Sequence, residues 1–311
     1  MSDLHSWRPT TLDAGELGLT PDLSGLTEYL QSIDLAARLT EARALRFTGF
    51  NLTEDQLESV SARLLDQRKP YVHGNSPRTK IGDNIYTSTE FPAEFVISMH
   101  NELSYAQSWP SRLLFVCVQA SDTGGATPLV HGGRWREAIG SDICDAFADG
   151  VIYRQCLHGG MGLGKSWQDT FETEDTAEVE KFLAASAAEW EWTPSGALKI
   201  SQLRPALINH PVTGEQVWFS QMDQWHPAAL GEATMADLLA LLPEDELPQS
   251  VAFADGGPIP DEFALRVRQA GLDEAVADEW QAGDALLIDN VAVGHGRQAY
   301  TGSRRILVAM S

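Results

Sequence analysis

A histidine and a glutamate stand two positions apart at the end of an apolar run, in the segment FVISMHNELSYAQSW (95–109). If the run is a strand, His100 and Glu102 point to the same face, because side chains alternate between the two faces of a strand. A glutamate inside a protein needs a partner or a metal ion. With 44 acidic residues and eight histidines in 311 residues, about one such pair arises by chance. The pair alone therefore does not identify a functional site.

Two imidazoles and one carboxylate on one face of a metal ion form the ligand set of non-haem iron(II) sites, which leaves positions open for a cosubstrate and oxygen. Zinc hydrolases use the same residue types. The third ligand should be a histidine from a distant strand. The candidates are His5, His73, His131, His158, His210, His226 and His295. We favour His295, because it follows the strand-like run GDALLIDNV and one more such run, RRILVAM, comes after it.

The elements that must position these side chains are mostly strands. Strand-like runs cover 94–100, 112–120, 150–157, 215–221, 284–291 and 304–310. Helical patterns cover 51–65, 173–190, 233–242 and 260–271. Strands and helices do not alternate as they would in a doubly wound α/β sheet. The order predicts a mostly antiparallel double sheet with helices packed outside, in which inward side chains from several strands converge on a site.

Residues typical of helix ends and one glycine-rich loop refine this prediction. Thr53 is a candidate N-cap with Gln56 three residues later, and the last helix should begin at Asp261 and stop at Gly271. The glycine-rich segment HGGMGLGK (158–165) lacks the spacing of a phosphate-binding loop and is predicted to be a mobile loop near a ligand. Without a repeat or a low-complexity linker, residues 1–311 are predicted to form one domain, with 1–39 as an N-terminal extension and helix.

Composition excludes several classes of partner. The chain has 22 basic and 44 acidic residues, a net charge of −22, which repels nucleic acids and anionic membranes. No apolar run approaches the roughly 20 residues needed to span a bilayer, and the first residues do not read as a signal peptide. Cys117, Cys144 and Cys156 are too few and too scattered for a disulfide framework. We expect a cytoplasmic protein, with Cys117 in the core.

Six motifs, in order and with their spacing, carry a family resemblance. They are NSPRTKIGDNIYTSTEFP (75–92), MHNELSYAQSWPSRLLF (99–115), DTGGATPLV (122–130), SWQDTFETED (166–175), HPVTGEQVWFSQ (210–221) and DNVAVGHGRQAYTGSRRILVAM (289–310). Over roughly residues 40 to 311 the chain resembles the TauD/TfdA family of iron(II)- and 2-oxoglutarate-dependent oxygenases, and most of all the SyrP-like hydroxylases of natural-product biosynthesis. The resemblance implies a mainly β fold with flanking helices, a double-stranded β-helix (jelly roll) of the clavaminate synthase-like/TauD type.

The resemblance also implies roles for single residues. His100, Glu102 and His295 match the iron(II) ligands, and Thr127 and Arg305 match the residues that hold the distal carboxylate of 2-oxoglutarate. A planar guanidinium suits this task because it donates two parallel charge-assisted bonds to a carboxylate. Arg304 should alternate to the opposite face and be solvated. The alternative for Arg305 is a strand arginine that pairs with a surface acid.

The implied function is the oxidation of an unactivated carbon with iron(II), 2-oxoglutarate and O2, by default a hydroxylation of an amino-acid-like or natural-product intermediate. The carboxylate of Glu102 argues against halogenation, because halogenases of this chemistry carry a small residue there so that chloride can bind iron. Desaturation, cyclisation or isonitrile formation would use the same ligands, and the substrate could be an amino acid tethered to a carrier protein. A non-catalytic jelly roll that binds a small ligand and a zinc hydrolase are the alternatives of other classes.

The substrate contacts are less defined. Other family members carry a substrate-binding arginine four residues after the cosubstrate arginine, where this chain has Ala309. Other candidates for substrate contact, each also readable as a packing residue, are Asn84, Tyr86, Ser88, Gln221, Asp223, Trp225 and His226. Carrier proteins are usually acidic and this chain is at −22, so repulsion favours a free small molecule as the partner, with Lys165 as a further electrostatic contact.

Overall fold

The computed structural model describes residues 7–69, 78–88, 91–159 and 164–311. Its strands are β1 (Thr10–Asp13), β2 (Ala44–Thr48), β3 (Lys80–Gly82), β4 (Ile85–Thr87), β5 (Ile97–His100), β6 (Arg112–Gln119), β7 (Thr123–Gly124), β8 (Leu129–His131), β9 (Val151–Leu157), β10 (Glu189–Trp192), β11 (Leu198–Arg204), β12 (Leu207–Asn209), β13 (Gln216–Trp218), β14 (Gln249–Phe253), β15 (Ala285–Asp289), β16 (Val293–Arg297), β17 (Tyr300–Thr301) and β18 (Arg305–Met310).

Its α-helices are α1 (Leu23–Ser32), α2 (Leu35–Ala42), α3 (Leu57–Leu64), α4 (Gly132–Ile139), α5 (Ser141–Ala146), α6 (Trp167–Phe171), α7 (Thr176–Ala185), α8 (Met222–Trp225), α9 (Glu232–Leu241) and α10 (Asp261–Asp273). Short 3₁₀ turns cover Glu54–Gln56, Pro227–Leu230 and Glu244–Glu246.

Two sheets position the site. The larger has the strand order β1-β2-β15-β6-β18-β4-β3, and the smaller has the order β5-β16-β8. Neighbouring strands run antiparallel in both, apart from the parallel pair of β1 and β2. A separate four-stranded sheet has the order β10-β11-β9-β14. The strand-rich architecture with outer helices confirms the predicted jelly-roll class.

The main core lies between the sheets. Phe115 and Cys117 of β6 and Val308 of β18 pack in one cluster with Met99 of β5 and Val293 of β16. All five side chains are buried, as predicted for Cys117. Burial of such side chains contributes roughly 1.5–3 kcal/mol each for the larger aliphatic and aromatic residues. This cluster holds together the strands that carry the two histidines of the site.

A second core lies on the other face of the large sheet. Val116 of β6 and Ala309 of β18 point to this outer face and pack against α1 and α3 through Leu26 and Leu64. Alternate residues of β6 and β18 therefore enter different cores, and both faces of these central strands are covered. The strands read as continuous apolar runs for this reason.

The six predicted strands and four predicted helices are confirmed, with shifts at their ends. The helix predicted from 51 begins as a 3₁₀ turn after Thr53, whose backbone N–H donates to Gln56 Oε1 at 3.2 Å. Gly271 does not end the last helix, contrary to the prediction. A Cβ at this position would lie 2.9 Å from the Trp135 ring, so the glycine permits close packing and the helix continues to Asp273.

The predicted N-terminal extension contributes to the large sheet, since β1 pairs with β2 from Thr10↔Leu45 to Asp13↔Thr48. The single-domain reading of 1–311 stays a prediction. None of the described helices combines the length and apolar character required to cross a bilayer. The three cysteines are buried thiols.

Candidate metal and cosubstrate site

One group of side chains in the described part of the chain has the composition and spacing of a metal site. His100, Glu102 and His295 each offer a ligand atom, and these atoms all lie within 4.8 Å of one another. His100 ends β5 and is the direct cross-strand partner of His295 in β16, with the ring centroids 4.2 Å apart. All three side chains are buried. The structure thus brings together the three residues that the sequence predicts as ligands.

Glu102 reaches the cluster by a different route from the one predicted. Strand β5 ends at His100, so Glu102 lies in the following turn and strand alternation does not place it. Two buried asparagines hold this turn. Asn290 Oδ1 accepts from the Glu102 backbone N–H at 2.8 Å, and Asn290 Nδ2 donates to the Glu102 carbonyl at 3.1 Å. Asn101 Nδ2 donates to the Asn290 carbonyl at 2.7 Å. Losing such a buried amide would leave partners unsatisfied, at a cost of about 1–3 kcal/mol each.

The two imidazoles are in the form that binds metal. His100 Nδ1 lies 3.0 Å from the Ser98 carbonyl oxygen, which can only accept, so this nitrogen donates its proton and Nε2 keeps the lone pair. Burial lowers the pKa of His100. Burial also lowers the pKa of His295 well below its usual value, and the neighbouring His100 adds to the effect. Neutral imidazoles beside a carboxylate fit a divalent metal such as iron(II).

The other described histidines have structural roles. His210 Nε2 pairs with Asp289 Oδ2 at 2.8 Å, and His158 Nε2 lies 2.7 Å from the Glu246 carbonyl. His131 caps α4, with Nδ1 accepting from the Arg134 backbone at 3.4 Å. His226 is taken up below. His5 and His73 lie outside the described residues. The choice of His295 as third ligand is therefore the one that the geometry supports.

A small cavity beside the cluster is lined by His100, His295, Thr127, Ser88 and Arg304, among others. Arg304 is fixed there because its Nε donates to the Gly125 carbonyl at 2.8 Å, and its Nη2 lies 3.5 Å from Thr127 Oγ1. Burial lowers the pKa of Arg304 to about 10, so the guanidinium stays charged at neutral pH. A partly buried arginine and a threonine hydroxyl beside the candidate ligands could together bind a carboxylate.

The assignment of Arg305 is wrong. Arg305 points to the outer face of β18, is 39% exposed, and pairs with Glu54 through two bonds of 2.9 and 2.5 Å. Arg304 was predicted to be solvated, but it is the arginine that enters the cavity. The sequence predicted correctly that Arg304 and Arg305 point to opposite faces of the strand. It assigned the wrong face to each of them. The surface pair that was the alternative for Arg305 is what the structure contains.

The interpretation of Ala309 changes for the same reason. Ala309 is buried in the outer core against the helices, so it does not face the site. The position four residues after Arg304 is Val308, which belongs to the inner core between the sheets. This inner position is apolar as well. The cavity therefore has no arginine at the place where other family members bind an anionic group of the substrate.

The predicted substrate candidates of the first motif separate in the structure. Ser88 lines the cavity, and its Oγ lies 3.4 Å from Arg304 Nη1, so it belongs to the anion-binding side. Tyr86 is buried in the inner core. Asn84 occupies the left-handed region at φ 55° between β3 and β4 and donates to the Arg68 carbonyl at 3.3 Å. Asn84 has the role of a turn residue.

The second group of candidates lies at and around α8. Trp225 and His226 line a larger cavity of about 520 Å³. His226 is also a cap: its Nδ1 accepts from Ala228 N at 3.2 Å and its Nε2 lies 2.9 Å from the Ile259 carbonyl. The Gln221 backbone N–H donates to the Tyr153 hydroxyl at 2.9 Å. The neighbouring Gln224, which was not predicted, donates to the Ser98 carbonyl at 2.9 Å and lines the same cavity.

Asp223 supports the strand that carries His100. Its Oδ2 accepts from Ser98 Oγ at 3.1 Å, while the Ser98 carbonyl orients the His100 ring. Arg268 Nε lies 3.4 Å from the same oxygen. Burial raises the pKa of Asp223 to about 6, against a partial opposing effect of Arg268. Asp223 therefore supports Ser98, the residue that orients the His100 ring, and is not placed as a substrate contact.

The raised pKa of Asp223 predicts a pH-dependent stability. The native state retains a proton that the unfolded chain releases near pH 3.8, so the free energy of unfolding falls as pH rises from about 4 through 6. The loss is on the order of 3 kcal/mol. Asp223→Asn cannot lose this proton. Relative to the parent, its free energy of unfolding should rise by this amount between pH 4 and 7.5, as measured by urea denaturation of metal-free protein.

The difference between parent and variant is the quantity to follow, because other titrating groups then cancel. Asp149→Asn, which removes an exposed carboxylate, is the matched control and should give parallel curves. If the free energy of unfolding of Asp223→Asn also changed with pH as that of the parent does, Asp223 would titrate as an ordinary surface acid.

Arg78 is a further site residue that the sequence reasoning did not single out. Its Nη2 donates to Glu102 Oε2 at 2.6 Å, and the two side chains are 3% and 4% exposed. Arg78 also lines the small cavity together with Arg304. The signal was the arginine in NSPRTK, the first motif of the resemblance. Its distance of 24 residues from Glu102 gave no reason to join the two.

Comparisons with known proteins agree with this geometry. Residues 19–310 match the family model described as taurine catabolism dioxygenase TauD, TfdA family. The chain belongs to the TauD/TfdA family. It is an enzyme, a dioxygenase that depends on iron(II) and 2-oxoglutarate, as its sequence predicts.

Two relatives with assigned names are similar over most of their length. The dapdiamide synthesis protein DdaC of Enterobacter agglomerans is 34% identical over 316 aligned residues, which cover 100% of this chain and 95% of DdaC. A clavaminate synthase-like protein of Arabidopsis thaliana is 29% identical, with coverage of 91% and 84%. The alignment with DdaC spans the whole of this chain.

Solved structures show the same fold at low identity. PvcB from Pseudomonas aeruginosa has a TM-score of 0.53 at 15% identity, with 100% of this chain and 88% of PvcB covered. AAD-2 in complex with Mn(II) and N-oxalylglycine has a TM-score of 0.53 at 12% identity, with 98% and 94% covered. These likenesses support the jelly-roll class of this TauD/TfdA enzyme.

Proposed function

We propose that this enzyme oxidises an unactivated carbon, by default as a hydroxylase, in an amino-acid-like intermediate of natural-product biosynthesis. The observation that carries the proposal is the buried cluster of His100, Glu102 and His295 beside Arg304 and Thr127. The relative DdaC is named for the synthesis of dapdiamide, which supports a biosynthetic pathway of this kind. An intact ligand set with an adjacent anion receptor does not favour a non-catalytic binding protein.

The residues would divide the work as follows. His100, Glu102 and His295 would hold iron(II), and Arg304 with Thr127 would hold the distal carboxylate of 2-oxoglutarate. When bound, iron and cosubstrate supply the oxidising chemistry. The small cavity beside the ligands is lined by Arg304 and Thr127 as well as by His100 and His295, so it is where the cosubstrate would bind. Phe115 and Ile97 give it an apolar wall that excludes water around the reacting centre.

The carboxylate of Glu102 supports hydroxylation over halogenation. A carboxylate ligand occupies the coordination position that a halide would need. Arg78, which donates to Glu102 Oε2, would hold this carboxylate in place when iron(II) is bound.

A turnover experiment tests the proposal. The iron-loaded enzyme is supplied with 2-oxoglutarate and with taurine, free amino acids or carrier-bound amino acids, and succinate release is followed together with oxidised product. We expect coupled oxidation of an amino-acid-like compound and none of taurine, because Val308 occupies the inner position of the anion-binding arginine. Coupled oxidation of taurine would reject this substrate class. Turnover of only the carrier-bound form would overturn the preference for a free substrate. Absence of iron binding would reject the function itself.

A further inference from the structure

We propose that Trp280 is a positioning residue of the cosubstrate site: its indole N–H fixes the Thr127 hydroxyl so that this hydroxyl donates its proton to the distal carboxylate of 2-oxoglutarate. The proposal rests on the proposed function, in which Thr127 and Arg304 hold that carboxylate. It adds a residue that the sequence analysis did not single out. Trp280 lies outside the strands of the site, in the segment between α10 and β15.

The neighbours of the Thr127 hydroxyl are the first support. Trp280 Nε1 donates to Thr127 Oγ1 at 3.1 Å, and Arg304 Nη2 lies 3.5 Å from the same oxygen. An indole N–H and a guanidinium have no acceptor, so neither can take the hydroxyl proton. No other residue in the described part of the chain accepts it. Thr127 is 7% exposed and lines the small cavity together with His100 and His295. The hydroxyl therefore suits a ligand atom that only accepts, such as a carboxylate oxygen.

The backbone of Thr127 is held by bonds that leave its side chain free to turn. The carbonyl before it accepts from the Gln298 N–H at 3.1 Å, and the carbonyl after it accepts from the Gly296 N–H at 3.0 Å. These bonds attach the segment to the end of β16, the strand that carries His295. A threonine side chain still has three staggered torsions at its first bond. The bond from the indole favours the torsion in which Oγ1 faces Trp280.

The Trp280 ring is anchored independently of this hydroxyl. Val276 and Leu129 exchange backbone hydrogen bonds of 2.8 and 2.9 Å, which attach the start of the segment to β8. At its end, Asp284 Oδ2 pairs with Arg46 Nη2 at 2.8 Å. The Arg46 guanidinium also lies 5.9 Å from the centroid of the Trp280 ring. The fold thus sets the direction of the indole N–H, and the hydroxyl adjusts to it.

The test measures the affinity of the iron(II)-loaded protein for 2-oxoglutarate without oxygen, from the visible absorption band of the complex. Trp280→Phe removes the N–H and keeps an aromatic ring. It should weaken binding by about threefold to tenfold, the range of one hydrogen bond. Thr127→Val removes the hydroxyl and keeps the shape, and it should weaken binding by about tenfold. In the Thr127→Val background, Trp280→Phe should change the affinity by less than about twofold, because the indole acts through the hydroxyl.

Trp192→Phe is the matched control for the loss of an indole N–H. Trp192 Nε1 also donates to a side-chain oxygen, Glu180 Oε1 at 2.8 Å, but Trp192 lies in β10 of the separate sheet. Its replacement should leave the affinity for 2-oxoglutarate within about twofold in both backgrounds. A second variant replaces Trp280 by 3-benzothienylalanine, which keeps the double ring and has sulfur in place of the N–H. It should lose the same affinity, and it carries the test if Trp280→Phe does not fold.

A loss of equal size in the Thr127→Val background would overturn the proposal, since Trp280 would then support the fold of the site and not the hydroxyl. Unchanged affinity in Trp280→Phe and in the sulfur analogue, or in Thr127→Val, would overturn it as well. If the parent with iron(II) gives no absorption band with 2-oxoglutarate, the proposed function fails first. That result is distinct from a parent that binds 2-oxoglutarate no more tightly than Trp280→Phe does.

Discussion

Replacing Arg304 by glutamine is expected to weaken the binding of 2-oxoglutarate by roughly 100-fold or more, because a buried charge-assisted pair with a carboxylate is lost. The same replacement at Arg305 should change it less than about twofold, since Arg305 is 39% exposed and pairs with Glu54 on the outer face. Titration of the visible absorption band of the iron–cosubstrate complex without oxygen measures both affinities.

Arg305→Gln is a close control for Arg304→Gln. The residues are neighbours, the chemical change is identical, and only one of them lines the cavity. Thr127→Ala should have a smaller effect than Arg304→Gln, because it removes one neutral hydroxyl bond. A larger loss of affinity in Arg305→Gln than in Arg304→Gln would contradict the placement of the two side chains and restore the original assignment.

The reversed assignment of the two arginines shows what a strand sequence does and does not determine. Alternation fixes that Arg304 and Arg305 point to opposite faces. Which face is the site depends on burial, and β18 is buried on both faces: Val308 enters the inner core and Ala309 lies under the helices. A continuous apolar run contains no polar side that would identify the outside. The run RRILVAM therefore does not show which of the two arginines faces the site.

The ligand set could be predicted from the motifs of the family resemblance, and only in part from strand patterns. His100 ends an apolar strand, but β16, which carries His295, has the sequence VGHGR and was not predicted as a strand. The two strands are direct neighbours in the small sheet. The structure places Glu102 in the cluster, but not for the predicted reason, because Glu102 lies in a turn and not in the strand. The asparagine pair of Asn101 and Asn290 that shapes this turn joins residues 189 positions apart. The periodicity of the sequence does not predict such contacts, because they form only in the folded chain.

Replacing Glu102 by alanine is expected to remove two properties at once. The affinity for iron(II) should fall by at least about 100-fold, because the carboxylate is one of three ligands. The rise of the melting temperature with added iron(II), which follows from binding to the native state alone, should then disappear. The metal-free variant should also be less stable by about 3–5 kcal/mol, since the buried charge of Arg78 loses its carboxylate. Thermal and urea unfolding, with and without iron(II), measure the two effects.

A double variant separates the two causes. If the ion pair accounts for the lost stability, adding Arg78→Gln to Glu102→Ala should recover part of it in the metal-free protein without restoring iron binding. His295→Ala should lose the metal as Glu102→Ala does, but it should not show the recovery with Arg78→Gln. Glu174→Ala, at an exposed position, should behave as the parent in both measurements. Iron binding by Glu102→Ala with the affinity of the parent would exclude Glu102 as a ligand. Its contact with Arg78 would then be an ion pair of the core alone.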